Sequence, residues 1–208
     1  MYFTKTISAP RAMMLAGALM ISASAASAAT IVATDLSVAD LDALTPAPND
    51  TPSSTTGVYY DNVVGTQFDG GAAVTRSVWQ DTINEAAGVY SSVQEDSTAT
   101  FTFGGLQDSL SLIWGSPDDY NDIIITLTGG AGDVVINGAA VQGPVGVLAS
   151  MVTIFDVEFD TVTFTSGENA FEFANLEVTP VPLPAGMLLM GTALGGLAVL
   201  RRRRKDEA

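Results

Sequence analysis

The densest set of oxygen donors in this sequence is Trp114-Gly-Ser-Pro-Asp-Asp-Tyr-Asn-Asp122, where Asp118, Asp119, Asn121 and Asp122 bring together three carboxylates and an amide oxygen. Hard oxygen ligands on a flexible loop suit calcium, so these four residues form a candidate calcium site. The same residue types also close hairpins through local Asx hydrogen bonds, which makes an ordinary turn the competing reading. No EF-hand loop with its closing glutamate is present. The run Gly129-Gly-Ala-Gly-Asp133-Val is close to the calcium nonapeptide of RTX proteins, but its aspartate comes one place early and the run occurs once. Such a roll needs stacked copies, so this stretch reads as a glycine hairpin loop.

A second chemistry is sugar recognition, in which exposed aromatic faces pack on pyranose rings while carboxylates and amides take the hydroxyls. Tyr59, Tyr60, Trp79, Tyr90 and Tyr120 are the candidate platforms for a polysaccharide. Trp114 alternates in phase with Leu110 and Leu112 and is expected in the core. Any of the five could equally be packing, since β-sheets bury aromatics freely.

Catalysis has few participants. The chain has no histidine and no cysteine, and its lysines, Lys5 and Lys205, lie near its two ends. Ser-His-Asp triads, cysteine nucleophiles, Schiff bases and the usual zinc or copper ligands are thereby excluded from the body. A glycosidase-type carboxylate pair can always be found among so many acids, so it carries no specificity. The expectation is no enzyme, and no cofactor beyond the calcium these residue types admit.

Charge divides the chain sharply. Residues 29–180 carry twenty-one carboxylates and one cation, Arg76, a formal charge of −20. That surface repels nucleic acid and anionic lipid and keeps the body hydrated. Arg76 is expected to serve structurally, its guanidinium bridging carboxylates or carbonyls.

The elements that must position these residues read as strands. Thr30–Val38 is a candidate opening strand, and the proline-rich stretch 45–57 is expected to be a flexible loop. Apolar alternation marks Ala99–Phe103 and Leu110–Trp114, and further candidates are 123–127, 134–136, 151–159, 162–164, 171–173 and 176–178. The best helix candidate is Gln80–Ala87. Short strands without crossover helices predict an all-β fold, an antiparallel β-sandwich of jelly-roll type spanning 29–179. About 150 residues make one domain.

Both ends carry export features. Lys5 and Arg11 precede the apolar run Met13–Ile21 and a small-residue stretch ending Ala26-Ser-Ala28, the pattern of a secretory signal peptide over 1–28. Cleavage is expected after Ala28, with Ala29 as the neighbouring position. The expected partners are the Sec translocon and signal peptidase. At the other end, 180–208, the motif Val181-Pro182-Leu183-Pro184-Ala185 leads into an apolar stretch to Leu200 and then Arg201, Arg202, Arg203, Arg204 and Lys205. An apolar segment of this length just crosses a bilayer, and a basic cluster stays cytoplasmic, so a transmembrane helix over 185–200 is expected to stop with 201–205 inside. Gly191 and Gly195 would let that helix pack closely on another, or leave it a weak anchor.

This tripartite tail resembles the PEP-CTERM sorting signal in its VPLPA variant. The resemblance implies an exosortase, a membrane protease-transpeptidase of Gram-negative bacteria, as processing partner. The body pieces Arg76-Ser-Val-Trp79, Tyr90-Ser-Ser-Val93, Ser97-Thr-Ala-Thr-Phe-Thr-Phe103, Leu110-Ser-Leu-Ile-Trp-Gly-Ser-Pro-Asp-Asp-Tyr-Asn121 and Phe171-Glu-Phe-Ala-Asn-Leu176 look like the β-sandwich domain of exosortase-dependent surface proteins. The family implies an inner-membrane-anchored precursor that ends at the cell surface or in the extracellular matrix. It supplies no catalytic or ligand residues to carry over.

Overall fold

The structure, a computed structural model, describes residues 29–65, 67–69, 73–75, 77–128, 132–142, 149–182 and 190. It is dominated by antiparallel β-structure, as the alternation predicts. Strand β1 is Thr30–Leu36, β2 is Ser54–Thr56, β3 is Tyr59–Val64, β4 is Gln67–Asp69, β5 is Ala73–Thr75 and β6 is Val89–Val93. Then come β7 at Ser97–Gly115, β8 at Asn121–Leu127, β9 at Asp133–Asn137, β10 at Ala149–Ser166 and β11 at Phe171–Pro180. Nine strands form one sheet in the order β3-β6-β11-β7-β10-β8-β9, with β1 added on β10 and β2 on β7, while β4 and β5 pair separately.

The opening strand stops at Leu36, short of Val38, because Ser37 caps a helix, α1, at Val38–Ala43. The Ser37 hydroxyl accepts from the Asp40 amide and the Asp40 carboxylate accepts from the Ser37 amide, which satisfies two donors that a helix start otherwise leaves open. The helix candidate Gln80–Ala87 is instead a chain of four-residue turns, from Gln80 N bonding Ser77 O to Ala87 N bonding Asn84 O. Thr82 Oγ1 donates to Trp79 O and accepts from Asn84 N, and Asp81 sits at φ 62°, so side chains take the bonds a helix would need.

Three pairs of short strands read from the sequence fuse into long ones. Between their halves lie bulges, not turns: the register shifts at 155–161 on β10 and at 174–177 on β11, with Asp156 at φ 64° and Asn175 at φ 51°. A bulge inserts an extra residue and breaks alternation, which makes one strand look like two. The 19-residue β7 and 18-residue β10 therefore pair from Ala149↔Gly115 to Ser166↔Ser97. Their two halves have different neighbours. Residues 109–115 and 149–155 lie beside β11 and β1, whereas 97–102 and 161–166 lie beside β2 and β8.

Two apolar clusters occupy opposite faces. Leu110, Leu112 and Trp114 join Phe101, Ile123, Phe164, Phe171 and Phe173, while Ile113 joins Leu41, Val78, Trp79, Tyr90, Ala149 and Ala174 beneath α1 and the 77–87 turns. This is the period-two alternation of a strand covered on both sides. In the larger cluster Phe164 stacks on Phe173 at 4.5 Å and meets Phe101 edge-on at 5.5 Å, and Trp114 stacks on Phe171 at 4.5 Å. Phe164 and Phe173 belong to differently partnered parts of the sheet, so this ring stack links the two parts.

Residues 45–53 hold neither helix nor strand, yet they are bonded to the sheet by three asparagines. Asn175 Oδ1 accepts from Ala47 N at 2.8 Å and its Nδ2 donates to Thr45 O at 2.9 Å. Asn62, at φ 46°, makes the same two-point pair with Asn49 N and Asn49 O. The Asn49 side chain, 5 % exposed, donates to Ser91 Oγ and Phe173 O and accepts from Leu176 N. The register shift between Tyr60 and Val63 on β3 and that between Ala174 and Glu177 on β11 each present an asparagine amide as a strand-like partner for the passing backbone.

Candidate functional sites

The 116–120 turn joins β7 to β8 and starts with Ser116 at φ 47°. Asn121, the first residue of β8, is fully buried: Ser166 Oγ lies 2.6 Å from its Oδ1 and its Nδ2 donates to Ala170 O. Both ends of the amide are committed to protein partners, which takes Asn121 out of the calcium set. Asp122, one strand step on, points to the other face and accepts from Asn137 Nδ2 at 2.9 Å. Asn137 Nδ2 also reaches the Asp119 carbonyl at 2.7 Å, leaving the exposed Asp119 side chain at the tip. Asp118 accepts from the Tyr120 hydroxyl at 2.8 Å. Among the described residues no three carboxylates converge on a common point that could hold a metal ion. What these residues build is a pinned turn, seated so close to Gly138 that any side chain there would overlap the Asp118 backbone.

Of the five candidate platforms, Trp79 and Tyr90 have no exposed face, which corrects the expectation for both. Trp79 is wholly buried and donates Nε1 to Val89 O at 2.9 Å, and Gly88 has no side chain because the indole occupies that space. Tyr90 is wholly buried with its hydroxyl donating to Gly65 O at 2.6 Å. Tyr59 and Tyr60 are half-buried on β3, Tyr59 packing against the larger cluster with its hydroxyl 3.4 Å from Asp61 Oδ1. Tyr120 is half-buried. Burial, and secondarily acidic neighbours, raises the phenols of both Tyr59 and Tyr120 well above the ordinary tyrosine range. Trp114 is buried, as its phase predicts, and among the described residues its Nε1 has no hydrogen-bond partner.

Of the export features, Ala29 packs on the larger cluster and Val181 donates its amide to Leu106 O at 2.9 Å, so both flank the sheet directly. Pro182 is the last residue of the motif described. Ala26, Ala28, Leu183, Pro184, Ala185, the basic residues 201–205, and also Arg76 and Gly129–Ala131 lie outside the described residues. So does the expected transmembrane helix apart from Met190. Among the described residues no helix is long and apolar enough to cross a membrane.

Residues that sequence reasoning passed over are the buried Asn49 and the half-buried Asn62 and Asn175. For Asn62 and Asn175 the signal is faint: Asn tolerates the left-handed conformation, and both stand where strand alternation fails. No family model, no curated protein and no solved structure matches this chain.

Proposed function

We propose that this chain is an exported, exosortase-sorted protein of the cell surface or extracellular matrix, whose body is a non-catalytic β-sandwich with a structural or adhesive role. The observation that carries the reading is where the sheet begins and ends. Among the described residues the first strand starts at Thr30 and the last ends at Pro180, so the described sheet lies between the leader-like run and the apolar stretch and basic cluster of the tail. Two apolar segments at opposite ends of an acidic sequence suit translocation and then a halt in the membrane.

A sandwich is supported by three short connections, 94–96, 116–120 and 167–170. Each links a strand segment beside β11 or β6 to one in the other part of the sheet. The ring stack of Phe164 on Phe173 supports the same closure. A structural role is favoured over sugar binding because Trp79 and Tyr90 are spent on the core.

The processing reading is tested by expressing the full chain with an exosortase and measuring the mass of the surface product. Loss of the segment beyond the Val181–Ala185 motif is expected, and an intact tail in a chain that reaches the surface would refute it. Co-sedimentation with the producing strain's extracellular polysaccharide, with calcium and with a chelator, tests the role. No pelleting in either condition is expected, and calcium-dependent pelleting would restore a lectin-like reading.

A further inference from the structure

Both ends of the body leave the sheet from one row. Thr30 pairs with Phe155, Phe155 with Ser109, and Ser109 with Thr179. Three interstrand steps of about 4.8 Å put the start of β1 roughly 14 Å from the end of β11. This row lies at the place where β7 and β10 pass their bulges, beside Gly104–Leu106 and Asp156. Val181, two residues beyond the row, is bonded to Leu106. From Val181 to Ala185 the chain reaches at most about 14 Å, so the apolar stretch starts close to this end of the body.

The opposite end carries the turns 94–96, 116–120 and 167–170. They hold together: Glu95 N donates to Asn169 Oδ1, Gly167 N donates to Tyr120 O, and the Tyr120 hydroxyl lies 3.4 Å from Asn169 O. Leu106 to Gly115 spans nine strand steps, roughly 30 Å. These turns therefore stand about a full strand length from both chain ends.

We infer that this body faces the membrane with its bulge end, so that Thr30, Leu106, Asp156 and Val181 look toward lipid and the three turns look away. The inference rests on the proposed membrane attachment of the precursor through the apolar stretch of the tail and adds which surface meets the bilayer. Leu106 is 40 % exposed, an apolar side chain at the end that faces lipid. Asp156 and Glu158 are exposed beside it, and their charge holds the body at headgroup level rather than within the acyl region. The turn holding Asp118 and Asp119 then becomes the outward surface.

The chain has no cysteine, so single-cysteine variants report one position each. Leu106→Cys and Asp119→Cys in the full chain are labelled with a fluorophore, reconstituted in phosphatidylethanolamine/phosphatidylglycerol vesicles, and titrated with lipid carrying a headgroup quencher. Given a height difference of about 30 Å, quenching at position 106 should exceed that at 119 by roughly twofold or more. Equal or reversed quenching in vesicle-bound protein overturns the inference. Flotation of the same samples reports the attachment separately: a chain that fails to float with the vesicles sinks the membrane reading itself. Unchanged melting curves of both labelled variants establish that the comparison is between folded proteins.

Discussion

Removing the Asn49 side chain should unfasten the 45–53 segment from the sheet. The side chain is buried and holds three partners, Ser91 Oγ at 2.9 Å, Phe173 O at 3.2 Å and Leu176 N at 2.9 Å. At a net contribution of about 1 kcal/mol per bond, Asn49→Ala costs about 3 kcal/mol, a large part of the stability of an ordinary domain. In a domain of this size each kcal/mol lowers the melting temperature by about 2–4 °C, so a drop of roughly 6–12 °C is expected. Ser91→Ala removes one of those partners together with the acceptor of Asn62 N and should cost about 1–2 kcal/mol. Trp79 and Trp114 are both buried, so intrinsic fluorescence tracks the transition. Limited proteolysis within 45–57 should accelerate in Asn49→Ala well below that transition. An unchanged melt together with unchanged cleavage would refute the pinning and return 45–57 to the mobile loop its prolines imply.

Asn175→Ala loses the same kind of two-point contact and keeps a β-carbon at φ 51° that glycine would not carry, so it should be less stable than Asn175→Gly by about 1 kcal/mol in chemical denaturation. Gly138→Ala would overlap the Asp118 backbone and should cost about 1–3 kcal/mol. Gly104→Ala, with open space around it, should shift stability by less than about 1 kcal/mol in the same measurement. Tyr59 and Tyr120 hold their protons more tightly folded than unfolded. Their contribution to stability is therefore intact below the ordinary tyrosine pKa of about 10 and declines as pH rises beyond it. Ultraviolet titration of Tyr59→Phe and Tyr120→Phe against the parent chain should show that each lost phenol ionised above the ordinary tyrosine range, and ionisation of either at about pH 10 would contradict its burial.

The strands were legible where neighbouring residues alternate. Leu110, Leu112 and Trp114 announce both their strand and their face, because a sheet packed on a core repeats every two residues. Legibility failed where the determining contact is distant in sequence. Trp79 looks like a free aromatic because the residues that enclose it, Leu41 on one side and Gly88 on the other, belong to separate elements. Asn49 sits in a stretch whose prolines and small polar residues spell a loop, and the partners that hold it are 42, 124 and 127 residues away. Two members of the calcium candidate set diverge for a local reason. Asn121 and Asp122 are consecutive strand residues, and the pleat sends consecutive side chains to opposite faces however closely they stand in sequence.

The position of β11 ties folding of the body to the arrival of the tail. It is the last strand in the chain, yet it lies between β6 and β7, and it supplies Phe171 and Phe173 to the larger cluster. Its removal would leave β6 and β3 without a path to the rest of the sheet. In a chain threaded outward from its first residue, the sheet therefore cannot close until Pro180 has emerged. By then the apolar stretch beginning at Ala185 is only a few residues behind. On the proposed export route, closure and the halt in the membrane become neighbouring events, and among the described residues the bond from Val181 to Leu106 is the last backbone bond before the tail. With no cysteine to oxidise, this closing rests on packing and hydrogen bonding, so it need not wait for an oxidase.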